Sequence, residues 1–216
     1  MDNHHSKNNR HNTAFVLGNG RSRLSIDSKE LLGIGTVYAC NAVYREFTPH
    51  YLVAVDVKMV NEIVATGYHK QNQVWTNPNK GITVKTGVNF FNPHKGWSSG
   101  PTALWLACNQ GHKEIYILGF DYMGVAGRFN NVYADTFNYK KSTDAATYHG
   151  NWLSQTEKVI KEYKTINFYR VIEAGGFVPD RLGANLPNLK HLVFEDFVKR
   201  FPINSYSEQN AQKTTI

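Results

Sequence analysis

The chain has 216 residues, of which 41% are hydrophobic and 19% charged, proportions that fit one globular domain and exclude a charge-driven disordered chain. No apolar run approaches the roughly 18–20 residues of a membrane span, no basic-then-apolar leader opens the sequence, and the 2 cysteines, Cys40 and Cys108, exclude a disulfide scaffold and a four-cysteine zinc site. The charge balance, 24 − 17 = +7, points to anionic partners, yet the basic residues are scattered without a run of five, which argues against nucleic acid.

Residues 1–12, MDNHHSKNNRHN, read as a disordered polar tail in which His4, His5 and His11 are solvated. Residues 13–203 form one folded unit, and residues 204–216 read as a flexible polar tail. Within the unit, residues 14–17 (AFVL), 37–40 (VYAC), 51–55 (YLVAV), 73–75 (QVW), 115–118 (IYIL) and 166–171 (INFYRV) read as strands. Continuous apolar runs suit strands covered on both faces. Helices are expected over residues 57–65, 101–110 and 152–163, with Pro101 fitting a first turn and Gly111 a stop. Alternating strands and helices predict a single-domain α/β fold with a mostly parallel, Rossmann-like sheet flanked by helices. Cys40 and Cys108 lie in apolar runs and read as buried thiols of a reducing, cytoplasmic compartment.

Polar residues follow the strands. AFVL runs into Gly18-Asn19-Gly20-Arg21-Ser22, VYAC into Asn41, YLVAV into Asp56, QVW into Thr76-Asn77, and IYIL into Gly119-Phe120-Asp121. In a parallel sheet these share the carboxyl edge, where ligands of open α/β sheets bind. Any one of them could simply make a turn, but five in succession favour a binding crevice. Gly18 and Gly20 allow positive φ and close backbone approach, so their turn is a candidate for directing N–H groups at a phosphate. It lacks the lysine of a Walker A loop and the third glycine of the dinucleotide fingerprint. Gly96-Trp97-Ser98-Ser99-Gly100-Pro101 leads into an apolar helix; Ser98 or Ser99 suits an N-cap, and the same helix start suits an anion.

There is no HExxH, CxxC, DxD or GxSxG, so a metal-dependent nucleotide-sugar transferase and a serine hydrolase are disfavoured. His149, between a polar loop and the helix of residues 152–163, is a candidate general base, with a structural histidine as the alternative.

In this order GNGRS, YACN, WSSG, GHKEIYILGFDY, His149 and Glu162-Tyr163-Lys164 resemble the bacterial lipooligosaccharide sialyltransferases, glycosyltransferase family 42, over roughly residues 14–189. A weaker similarity extends to flagellin glycosylation factors, to pterin pyrophosphokinases of the same fold and to small phage proteins. The resemblance implies a metal-independent, inverting transferase with a CMP-sugar donor and a hydroxyl acceptor, a glycan, and no cofactor. It places Asn19, Asn41, Ser99 and Gly100 on the nucleotide, His149 as general base, and Tyr133 beside the leaving phosphate; the strand-end pattern adds Gly18, Gly20, Ser22 and Asp121 to the nucleotide site. The chain departs from the family at Met123, where a tyrosine is usual, and in a short loop over residues 124–147. The alternatives are a nucleotide-binding or structural module without turnover, or a diphosphokinase using ATP and magnesium. A homo-oligomer is compatible with either class.

Overall fold

Eight strands lie side by side in the order β5-β4-β3-β2-β1-β6-β7-β8, and every neighbouring pair is parallel. They are β1 (Thr13–Leu17), β2 (Thr36–Cys40), β3 (Tyr51–Val53), β4 (Val74–Thr76), β5 (Asn89–Phe90), β6 (Glu114–Leu118), β7 (Asn167–Ile172) and β8 (Leu189–Val193). The helices are α1 (Val57–Ala65), α2 (Ser99–Asn109), α3 (Gly150–Glu162) and α4 (Phe194–Arg200). The structure, a computed structural model, describes residues 11–84, 86–201 and 203. The chain steps outward from β1 to β5, returns to the far side of β1 as β6, and steps outward again to β8. The winding reverses between β1 and β6, so a crevice opens beyond the carboxyl ends of these two strands.

Strand alternation sorts the core into two halves. Phe15, Leu17, Val37, Ala39, Tyr116 and Leu118 face one side, with Met59, Val60 and Ile63 of α1 and Phe194 and Phe197 of α4. Ala14, Val16, Tyr38, Ile115 and Ile117 face the other, with Ala103, Leu104 and Ala107 of α2 and Leu153, Val159 and Ile160 of α3. Burial on both faces explains why the central strands read as unbroken apolar runs.

The six expected strands and three expected helices are present, α1 with the expected ends and the others with ends shifted by one or two residues. Helix α2 begins at Ser99 and α3 at Gly150, two residues before each expected start, which makes His149 the residue that caps α3 with its main chain: its carbonyl accepts from Leu153 N–H at 3.0 Å. Three elements had no clear apolar signature. β5 is only 2 residues long, and β8, at the sheet edge, carries Lys190 and His191, the polar residues that blunt an edge strand. α4 has 7 residues, too short for periodicity to register, but its Glu195 and Asp196 in the first turn and Lys199 and Arg200 in the last complement the helix dipole.

The tails expected at residues 1–12 and 204–216 lie outside the described residues, save His11 and Asn12. Asn12 carbonyl accepts from Lys113 N–H at 2.9 Å, and His11 carbonyl lies 2.8 Å from His112 Nδ1. Cys40 and Cys108 are both buried free thiols. Among the described residues no helix is long and apolar enough to cross a membrane.

Phe197 is fully buried and its ring meets Phe15, Tyr116, Phe194 and Phe201 with centroids 5.2–6.4 Å apart. Replacing it with alanine should cost about 3–5 kcal/mol, read as a lowered urea midpoint, even though α4 is the shortest of the four α-helices.

Candidate functional site

A cleft of about 510 Å³ opens at the switch between β1 and β6. Its floor is the pair of turns that end those strands. Gly18 N–H donates to Leu118 carbonyl at 2.8 Å, and Gly20 N–H to Gly119 carbonyl at 2.9 Å. A Cβ on Gly18 would lie 2.5 Å from Gly119 carbonyl oxygen, and one on Gly20 would lie 2.5 Å from the Asp121 carboxyl. Neither Gly18 nor Gly20 has positive φ; that conformation belongs to Gly119 at +69°. The glycines of the first turn are therefore required by the neighbouring turn, not by left-handed backbone. Arg21 N–H goes to Asn130 Oδ1 at 3.0 Å and Ser22 N–H to Asp121 Oδ2 at 3.2 Å. With Gly18, Gly20, Arg21 and Ser22 all donating inside the protein, this turn is not the N–H cradle its sequence suggests.

Asp121 fastens the two turns together. Its carboxylate accepts from Ser22 N–H, from the Ser22 hydroxyl and from Asn130 Nδ2 at 2.9 Å. Behind it sits Arg170 of β7, only 2% exposed. Its guanidinium donates to the carbonyls of Phe120 (2.9 Å), Phe177 (2.9 Å) and Asp121 (3.3 Å), and burial holds its pKa below the usual arginine value. Sequence reading took Arg170 as part of a core strand. An arginine inside the run NFYRVI was the signal, because a buried charge has to be held by several acceptors.

Asn19 and Asn41 also line the cleft. Asn19 is 9% exposed and its Nδ2 donates to Tyr139 hydroxyl at 3.1 Å. Asn41 has φ 56°, a left-handed conformation that asparagine tolerates. Its Oδ1 accepts from the Ser99 hydroxyl at 2.8 Å, and the same hydroxyl accepts from Val55 N–H at 3.1 Å. Ser99 thus ties the start of α2 to the ends of β2 and β3. Ser98 is the N-cap residue but makes no side-chain cap bond; its N–H donates to Gln155 Oε1 of α3 at 3.0 Å. Among the described residues the N–H groups of Ser99 and Gly100 have no partner outside their own helix, and Ser98 through Pro101 line the cleft. This helix start, not the glycine turn, offers unsatisfied donors to an anion.

On the opposite rim His149 lines the cleft with Thr147 and Trp152. Its half-buried ring lies 6.1 Å from the exposed Tyr148 ring and 6.5 Å from Phe177. Cys40 also reaches the lining, but burial pushes its thiol up to about 12, against a smaller lowering by Arg23, so it is no nucleophile at neutral pH. The lining holds Asp56, Asp121 and His149 and, among the described residues, neither lysine nor arginine. No group of three or more His, Cys, Asp or Glu among the described residues is arranged to hold a metal ion.

The structure brings Gly18, Asn19, Gly20, Asn41, Ser99, Gly100, Asp121 and His149 to this cleft and keeps Ser22 just behind it through Asp121. Tyr133 does not join them. It is 6% exposed; its hydroxyl accepts from Arg23 Nη2 at 2.8 Å and donates to Glu46. Arg23, 2% exposed, grips Glu46 with both terminal nitrogens, at 2.7 and 3.2 Å. A hydroxyl held between a buried arginine and a carboxylate is committed to the core, away from any ligand in the cleft. Comparison of the chain with protein-family models, with curated proteins and with solved structures gives no significant match.

Two outcomes test this geometry. Gly18→Ala should cost about 1–3 kcal/mol, because two backbone segments must separate, whereas Gly33→Ala, with nothing within 4 Å of its added Cβ, should shift the urea midpoint little. The second is pH dependence. Burial raises the Glu46 carboxyl, but the hydrogen bonds and charge of Arg23 and the Tyr133 hydroxyl outweigh it and leave the pKa below the ordinary 4.5. A depressed carboxylate contributes stability that is full above its unfolded value and lost as pH falls through its folded value. Glu46→Gln should therefore lower stability at neutral pH and flatten its decline below about pH 4.5, measured by denaturant unfolding across the acid range.

Proposed function

We propose that the protein is a metal-independent glycosyltransferase that binds a nucleotide-sugar in the β1–β6 cleft. The observation that carries this reading is that one cleft gathers the strand-end asparagines, the unsatisfied N–H groups at the start of α2 and the His149 imidazole. A nucleoside would lie against Asn19 and Asn41, whose amides offer both donors and acceptors to base and ribose. The phosphate would sit at the N–H groups of Ser99 and Gly100, where the helix dipole favours negative charge. With neither lysine nor arginine in the lining among the described residues, a donor with a single phosphate, such as a CMP-sugar, suits the cleft better than one with several.

In the reaction the acceptor oxygen attacks the anomeric carbon, and the bond from that carbon to the phosphate oxygen breaks on the opposite face. The leaving phosphate keeps the bonding electrons and is held by the α2 N–H groups. His149 takes the acceptor proton as the new bond forms, help worth roughly 10²–10⁴-fold. Displacement in one step inverts the anomeric configuration.

One observation favours a second reading, a nucleotide-binding module without turnover: Tyr133, the residue expected to steady the leaving phosphate, is bound to Arg23 and Glu46.

CMP should raise the melting temperature more than ATP or NAD does, and should do so in EDTA; at 100 times its Kd a ligand adds about 2.7 kcal/mol. His149→Ala should leave CMP affinity within about twofold while lowering sugar transfer by about 10² or more, since the base acts on the acceptor and not on the donor. Stabilisation by ATP alone, and only with magnesium, would favour the diphosphokinase chemistry. CMP binding with no transfer from any nucleotide-sugar by the intact protein would favour the module.

A further inference from the structure

Asp56 follows β3 and begins α1, and its main-chain carbonyl accepts from Val60 N–H at 3.0 Å. Its backbone, φ −78° and ψ 125°, is that of an N-cap residue, yet its side chain makes no cap bond. Aspartate at this position ordinarily accepts from an N–H of the helix's first turn. Here the carboxylate is exposed, lines the cleft, and among the described residues has no hydrogen-bond or ion-pair partner. Its neighbour Val55 is pinned to Ser99 at 3.1 Å, so Asp56 stands beside the start of α2, where the ligand's phosphate is placed above. Asp121, the cleft's other carboxylate, accepts from Ser22 and Asn130, and its main-chain carbonyl accepts from the Arg170 guanidinium. Asp56 has no such compensation. In a chain with a net charge of +7, the cleft is the place where an unpaired negative charge stands without a lysine or arginine in the lining.

We infer that Asp56 is the specificity residue of the cleft: its carboxylate accepts the hydroxyl hydrogens of the ligand's ribose and repels any phosphate beyond the one held at α2. A carboxylate at a strand end matches a vicinal diol, with two acceptor oxygens for two O–H donors. The same charge acts on a second or third phosphate across a short, wet gap. Two like unit charges about 5 Å apart in water repel by a little under 1 kcal/mol, which is about fourfold in affinity for each added phosphate. The order CMP, CDP, CTP should therefore run from tightest to weakest, the reverse of a phosphate-cradling site. This rests on the nucleotide reading of the cleft and adds to it a residue and a charge limit.

The test is calorimetric titration of the intact protein with CMP, CDP, CTP and 2′-deoxy-CMP in EDTA, repeated with Asp56→Asn. The wild type should bind CMP several-fold more tightly than CDP and CDP more tightly than CTP, and should discriminate against 2′-deoxy-CMP. In Asp56→Asn the CMP-to-CTP gap should narrow by about tenfold or more, the removal of one charge acting on two phosphates, and the preference for ribose should weaken. Equal or tighter binding of CTP by the wild type overturns the inference while leaving the nucleotide reading intact, and that ladder needs no variant. An unchanged ladder in a folded Asp56→Asn also overturns it. Failure of every cytidine nucleotide to bind overturns the nucleotide reading and this inference together.

Discussion

The contact on which the cleft depends is between two backbones. Gly18 and Gly119 end the two central strands, and each would place a Cβ within 3 Å of the other's carbonyl oxygen. Any side chain at either position would force β1 and β6 apart at their carboxyl ends. The two hydrogen bonds from Gly18 and Gly20 to the β6 side, and the bonds of Asp121 to Ser22 and Asn130, hold only at that spacing. The crevice at the switch point is thus shaped from below by glycine packing, and its walls are free to carry chemistry. A glycine-rich turn after a first strand is commonly associated with bound phosphate. Here its glycines and most of its N–H groups join it to the neighbouring turn.

Most of the fold was legible because the central strands are covered on both faces, and burial on both faces leaves a plain mark: AFVL, VYAC and IYIL have no polar residue to confuse the reading. Legibility fell toward the edges. β8 is half-exposed along its length, so Lys190 and His191 interrupt its apolar pattern, and α4 is shorter than two full periods of a helix. The carboxyl-edge residues were legible for a topological reason, since in a parallel sheet every strand ends on the same side. Which atoms those residues present was not. Asn41, Ser99 and Asp121 are in the cleft, but their bonding partners come from segments 58, 58 and 99 residues away, a separation that no local pattern encodes. Tyr133 shows the limit in the other direction. The family resemblance puts it beside a leaving phosphate, whereas the packing of Arg23 and Glu46 around its hydroxyl turns it inward.

Two buried arginines explain the charge of the site. Arg23 follows the first glycine turn and Arg170 stands behind the second, so both guanidinium groups lie near the cleft in the chain or in space, and neither lines it. Arg23 is neutralised by Glu46. Arg170 has carbonyl acceptors, that of Asp121 among them, in place of a carboxylate partner. A buried guanidinium that loses its acceptors is costly, so each arginine fixes the turn that it holds. Both guanidinium groups are spent on bonds inside the protein, and neither lines the cleft. The lining itself presents amides, the first N–H groups of α2 and the Asp56 carboxylate. Such a lining offers directed hydrogen-bond donors and acceptors and, among the described residues, no lysine or arginine. That is also why the net charge of +7, the most visible number in the composition, says so little about this cleft: the excess positive charge resides elsewhere on the chain.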